Sequence, residues 1–279
     1  MTSLDRSRPW CAAVMRAHAK SFYFSTRLLP AVKHRAVEAL YGLFRTADDL
    51  ADEPGMPLRE RYAEFERMLE AVANLRAPGY TCDAPWFAAV RDAVERFPIA
   101  LDDVRRLIEG CRSDLEDPGI ATVEDLYRYS AAVAGTVGRC SMPILGAADA
   151  DSLDRGERLG IAMQYTNVIR DVAEDRALGR NYLPQQEFPG ASDAQIMREL
   201  AGIAREYYRE ARVLAARVPN DGSRAALLMT AEIYGGILDR VERQDYDPLR
   251  GRAYVPGREK IWRAARCLIE AYTGLPTIR

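Results

Sequence analysis

Histidine is nearly absent: His18 and His34 are the only two in 279 residues. A metal site built on imidazoles is thereby excluded. Any resident metal must be held by carboxylate oxygens, which favours Mg²⁺ or Mn²⁺ over Zn²⁺. Cysteine is scarce and odd in number. Cys11, Cys82, Cys111, Cys140 and Cys267 are scattered, with no C-x-x-C pair, which excludes a disulfide framework and points to a reducing compartment. Neither charge sign prevails: 39 Lys and Arg face 41 Asp and Glu, for a formal net charge of −2. A nucleic-acid binder would carry a basic excess, so nucleic acid is not an expected partner. Low net charge with 48% hydrophobic residues also excludes intrinsic disorder. Long hydrophobic runs are missing as well. The weakly polar stretch 131–148 contains Arg139, Pro143 and several glycines, too short and broken to span a bilayer. Residues 1–10 carry Asp5, Arg6, Arg8 and Pro9 where a signal peptide needs an apolar segment. The expected location is the cytoplasm, with membrane contact at most peripheral, for release of a lipid product.

β-branched alternating runs are almost absent, while Ala, Leu, Arg and Glu fill long stretches with helical period. The pattern predicts helices over about 9–26, 31–52, 57–75, 84–96, 101–114, 122–148, 152–175, 192–217, 221–243 and 257–273. Turns fall at Glu53-Pro54-Gly55, Pro78-Gly79 and Asp117-Pro118-Gly119. Thr122-Val-Glu-Asp125 and Ser192-Asp-Ala-Gln195 have the form of capping boxes. No linker separates domains, so residues 1–279 are expected to form a single all-α domain.

Two acidic clusters carry the chemistry. The first ends the segment Tyr41-Gly-Leu-Phe-Arg45-Thr-Ala-Asp48-Asp-Leu-Ala-Asp52-Glu. At about 100° per residue, Asp48 and Asp52 extend the face begun by Val37, Tyr41 and Phe44, and Arg45 shares it. Two carboxylates one turn apart on an inward face call for cations. The alternative is a helix end whose acids sit in solvent, against the helix dipole. The second cluster places Gln164, Asn167, Asp171 and Asp175 on one stripe, a set of oxygen ligands or the polar side of an amphipathic helix. Two D-x-x-x-D pairs together favour the ligand reading. Lys20, Arg45, Arg170 and Arg180 flank them, which suggests Mg²⁺ bridging carboxylates to a diphosphate, with the cations neutralising its remaining oxygens. Gly135 and Gly138, inside a helical run, mark either a kink or ligand approach, or close packing of two helices.

Four ordered blocks make the sequence resemble the squalene/phytoene synthase family: His18-Ala-Lys-Ser-Phe22, Tyr41 through Glu53, Val133-Ala-Gly-Thr-Val-Gly138, and Gln164 through Pro184. The resemblance implies an isoprenoid-synthase bundle of helices around a central cavity. It implies that Asp48, Asp52, Asn167, Asp171 and Asp175 hold Mg²⁺, or Mn²⁺ in its place. Lys20, Arg45, Arg170, Arg180 and Arg252 would contact diphosphate. Ser21, Phe22, Val133, Gly138 and Gln164 would line the substrate site, and Tyr41, Arg45, Tyr129 and Tyr246 would act at the reacting centre. The late stretch Arg252-Ala-Tyr-Val-Pro256 and the Gly-Thr-Val-Gly run look like phytoene synthases. The implied reaction is head-to-head 1′–1 condensation of two prenyl diphosphates through a cyclopropylcarbinyl diphosphate, from two geranylgeranyl diphosphates to phytoene, with no NADPH. The alternatives are a hopanoid-pathway enzyme making presqualene diphosphate or squalene from farnesyl diphosphate, the latter with NADPH, and a non-catalytic assembly-factor-like relative. Ala131 and Ala132, small where bulkier residues are common, are expected to leave room beside Tyr129 for the longer chain.

Overall fold

Local signals start the helices where side chains can satisfy the first free amides. The computed structural model describes residues 2–53, 55–116 and 119–274. Helix α1 (Ser3–His18) begins earlier than residue 9, because Thr2 and Asp5 cap each other in a box that periodicity alone does not reveal. Pro9 lies inside that helix. The chain then breaks at Ala19, and α2 (Lys20–Thr26) is separate, so the expected single helix 9–26 is two. Helix α3 (Ala31–Asp52) buries Val37, Leu40, Leu43, Phe44 and Ala47; of the face expected to point inward, Val37 and Phe44 are buried, Tyr41 is half-buried, and Asp48 and Asp52 at the helix end are exposed. Helices α4 (Leu58–Ala73), α5 (Phe87–Arg96) and α6 (Leu101–Ser113) pack around it. The turns read at Pro54 and Asp117-Pro118 lie outside the described residues.

The Thr122–Asp125 box opens α7 (Val123–Ser130). A π-helical turn over Ala131–Gly135 joins α7 to α8 (Thr136–Leu145), with the Thr136 amide bonding Ala131 five residues back. The run is thus irregular at the glycine-bearing segment, as π turns often are beside functional sites. Helix α9 (Ala150–Ala177) is the central element, touching α8, α10 and α11. Gly138 lies on it so closely that a Cβ there would overlap the Gly156 carbonyl oxygen, and a Cβ at Gly160 would overlap that of Ala134. Close packing is therefore one role of this glycine run.

Helix α10 (Asp193–Ala215) starts at Ser192, whose amide donates to Gln195 Oε1 at 2.8 Å. Helices α11 (Ser223–Arg243) and α12 (Gly257–Thr273) complete the chain. Among the described residues there is no strand. Two apolar cores form. One gathers Leu43, Phe65, Trp86 and Leu107; the other gathers Tyr165, Ile169, Leu200 and Ile237. All five cysteines are free, and only Cys82 is less than fully buried. No described helix is long and apolar enough to cross a membrane.

Candidate active site

A cavity of about 910 Å³ opens among α2, α3, α6, α8, α9 and α11. That is near the top of the range for small-molecule pockets, about 300–1,000 Å³. Helix α2 brings Lys20, Ser21 and Phe22 to its wall, and α3 brings Tyr41, Arg45 and Asp48. Tyr129, Val133 and Gly138 come from the α7–α8 run, Gln164, Asn167 and Arg170 from α9, and Arg252 from the segment before α12. Phe22, Leu107, Leu159 and Met163 make much of the rest apolar. Residues read from four separate blocks thus face one space.

Each motif aspartate except one is gripped by arginine. Asp48 lies 3.0 Å from Arg45, which also pairs with Asp49. Arg45 is therefore held by Asp48 and Asp49, three and four positions further along the same helix, and Asp52 instead pairs with Arg180, tying the end of α3 to the loop after α9. Asp171 receives Arg252 at 2.8 and 3.1 Å and Arg170 Nε at 2.7 Å. Among the described residues Asp175 has no ion-pair partner. The Asn167 amide donates to Gln164 Oε1 at 3.4 Å.

The electrostatics follow from these partners. Desolvation by the surrounding protein raises the Asp48 carboxyl, although the side chain is 51% exposed, and Arg45 only partly offsets it. Burial also raises Asp175, to about 6, helped by the neighbouring Asp171. Asp171 is pushed up by burial too, but the hydrogen bonds from Arg170 and Arg252 win and hold it below the ordinary carboxylate value.

Asp52, Asp171, Asp175 and Arg180 do not line this cavity; Asp175 and Arg180 border a separate small cleft with Val172 and Tyr182. Tyr246 is elsewhere: it is buried in the second core, with the Arg198 guanidinium 5.1 Å over its ring. It ends α11 in a Schellman turn, its amide bonding Val241 and the Asp245 amide bonding Glu242. Both residues adopt positive φ, 56° and 59°. Tyr246 thus shapes the chain leading to Arg252 and is not a wall of the cavity. Ala131 and Ala132 also differ from expectation. Neither lines the cavity. A Cβ at Gly110 of α6 would come within 2.9 Å of Ala132, so the small residues serve helix packing and add no room beside Tyr129.

Two groups went unread in the sequence. Asp114, at the end of α6, lines the cavity and accepts from the Tyr129 hydroxyl at 3.2 Å. Its other oxygen is buried without a partner, and burial raises its carboxyl to about 7. An acid at a helix C-terminus opposes the dipole, the same signal that marked Asp48 and Asp52. Lys260 of α12 also lines the cavity and donates to Ser21 Oγ at 2.9 Å; burial, then Lys20, lowers its pKa. No local pattern announces it. Behind Tyr129, Tyr182 stacks with ring centroids 5.3 Å apart, leaving Tyr129 one open face.

Among the described residues no three Asp, Glu, His or Cys side chains converge in a ready metal cage. The donors nonetheless suit a hard cation: the Asp48 carboxylate of α3, the amide oxygens of Gln164 and Asn167 on α9 and the orphaned Asp114 oxygen line one cavity, and the Asp171 carboxylate is held by Arg252 of the same wall.

The sequence profile of the squalene/phytoene synthase family matches residues 15–259. A 15-cis-phytoene synthase of Synechococcus elongatus is 33% identical, with 94% of this chain and 92% of that protein aligned. A chloroplastic phytoene synthase of Zea mays is 36% identical over 90% of this chain, which spans 63% of the maize protein. Among solved structures, a dehydrosqualene synthase matches with TM-score 0.84 at 26% identity, covering 97% of this chain and 98% of the other. A squalene synthase of Alicyclobacillus acidocaldarius matches with TM-score 0.77 at 25% identity, over 88% of this chain and 96% of the other.

Proposed function

The chain belongs to the squalene/phytoene synthase family, and we propose that it joins two geranylgeranyl diphosphates head to head, through a cyclopropylcarbinyl diphosphate, to give phytoene. The observation that carries this reading is one cavity whose wall combines Asp48, Arg45, Arg170 and Arg252 with a largely apolar lining. Diphosphate leaves only when its charge is neutralised, and the cation left behind survives only where water is excluded.

In this reading Asp48, Asp52, Asn167, Asp171 and Asp175 hold Mg²⁺, with Gln164 orienting Asn167. Bound there, the metal supplies the positive charge that makes diphosphate a leaving group. Arg45, Arg170, Arg180 and Arg252 now neutralise the carboxylates, and they turn to the diphosphate oxygens as substrate arrives. Lys20 and Lys260, with Ser21 between them, receive the second diphosphate. Phe22, Val133 and the bare surface at Gly138 hold the prenyl chains. The open faces of Tyr41 and Tyr129 stabilise cationic carbon through their π-systems, and Asp114 holds the Tyr129 hydroxyl so that its ring faces the cavity. Tyr246 acts from behind, fixing the turn that presents Arg252. NADPH enters only if squalene is the product.

A second reading, condensation of two farnesyl diphosphates, is favoured by the likeness to the dehydrosqualene and squalene synthases at TM-scores of 0.84 and 0.77. A non-catalytic role fits poorly with four intact aspartates and their arginines. The test is incubation of the pure protein with geranylgeranyl diphosphate, Mg²⁺ and detergent. Phytoene and released diphosphate are expected; absence of both refutes an enzymatic role on this substrate.

A further inference from the structure

Helix α12 packs chiefly on α11. Cys267 and Ala271 are its buried positions. Its outer arc is apolar and open to solvent: Ile261 is 64% exposed, Trp262 55%, Ile269 51% and Tyr272 63%. At about 100° per residue these four share a sector of about 100°, with Arg258 in its middle. Arg258 is exposed, and Arg266 at the edge of the sector lies 4.4 Å over the Trp262 ring. The acids of the helix point elsewhere. Glu259 is taken by Arg240 and Arg263, and Glu270 by Arg212. The outward face is thus apolar and cationic, with no carboxylate on it among the described residues.

The same face adjoins the cavity. Three residues before the helix, Tyr254 lines the cavity and is 70% exposed, with Val255 beside it. Lys260, on the inner side of α12, lines it too. The helix therefore carries an open apolar stripe on one side and a cavity wall on the other.

We propose that the outer face of α12, with Tyr254, docks this protein on an anionic phospholipid bilayer. Apolar side chains enter the headgroup boundary, and Arg258 meets lipid phosphate. Trp262 and Tyr272 suit that depth, with an apolar body and a polar edge. This placement sets the cavity at the membrane surface. It rests on the prenyl-chain reading only for its purpose, since docking itself needs no substrate.

The test is co-sedimentation of the full chain, without substrate, with vesicles of phosphatidylglycerol and phosphatidylcholine or of phosphatidylcholine alone. Binding is expected to the anionic vesicles, weakening by roughly tenfold on pure phosphatidylcholine. The triple variant Ile261→Ser, Trp262→Ser, Tyr272→Ser is expected to lose binding by at least about tenfold. It should retain helical circular dichroism and turnover of detergent-dispersed substrate. Arg258→Glu alone is expected to weaken binding to anionic vesicles several-fold. Trp262 fluorescence should shift to the blue on binding, and Trp262→Phe should abolish that shift, since Trp86 is already buried and Trp10 packs against the first core, away from this face. Failure of the wild-type protein to bind anionic vesicles overturns the proposal. So does undiminished binding by the triple variant, or sedimentation of the wild type as a dimer that the triple variant dissolves, which makes the face a contact between copies. Docking and turnover are read separately, so loss of either leaves the other standing.

Discussion

Arg252 grips the carboxylate of Asp171 from 81 residues away in the chain, with Nε 2.8 Å from one oxygen and Nη2 3.1 Å from the other. That fork-on-carboxylate geometry is what a planar guanidinium provides and an ammonium does not. It also holds the segment before α12 against the end of α9.

Arg252→Lys should therefore not be conservative. The expected outcome is a rise in KM for the diphosphate substrate of about tenfold, with a smaller change in kcat, because a charge remains while the fork is lost. Steady-state kinetics with unchanged KM would make Arg252 a structural counter-ion only.

Asp48→Asn and Asp171→Asn keep shape and remove charge. Each should reduce turnover by at least about a hundredfold, the scale of losing a main electrostatic contact in the transition state, with circular dichroism unchanged. EDTA should abolish turnover and Mg²⁺ restore it. Full activity in either variant would contradict the metal assignment.

Asp114 gives a pH signature. Burial lifts its carboxyl from an ordinary 3.8 to about 7. Between those values the unfolded chain has released its proton while the folded chain keeps it. Stability is therefore lost as pH rises through that window, and the loss is complete above it. Asn cannot ionise. In metal-free protein the Tm of Asp114→Asn minus that of wild type should thus grow more positive from about pH 5 to about pH 8. Thermal melts showing a constant difference would contradict the raised value.

The glycine run makes a graded prediction. At Gly138 a methyl group meets the backbone of Gly156, which cannot step aside; at Gly135 it meets Glu157 Cγ at 2.8 Å, part of a side chain that can. Gly138→Ala should cost about 1–3 kcal/mol or more, and Gly135→Ala clearly less. Equal losses in denaturant melts would contradict the close α8–α9 contact.

Periodicity placed α3 to the residue and most other helices within a few, because a buried face repeats with the turn of the helix. The two capping boxes were legible for the same local reason. Helix α1 began too late in the sequence reading, since Pro9 masked a start that Thr2 and Asp5 set. Asp48 and Asn167 could be found because acids and amides recur on one helix face, and the family pattern joins them to Arg170 across the chain. Asp114, Lys260 and the Arg180–Asp52 pair depend on helices meeting in space, which no local spacing encodes. Tyr246 and Ala132 mislead in the opposite direction. Their positions match the family pattern or suggest open space, while the Schellman turn and the approach of Gly110 give them structural work.

Product identity tests the central claim most directly. Purified protein is given equal concentrations of geranylgeranyl and farnesyl diphosphate with Mg²⁺ and no NADPH, and the products are identified by mass. Phytoene, the forty-carbon triene, should dominate. A preference for farnesyl diphosphate, giving presqualene diphosphate or a thirty-carbon hydrocarbon, would contradict the assignment.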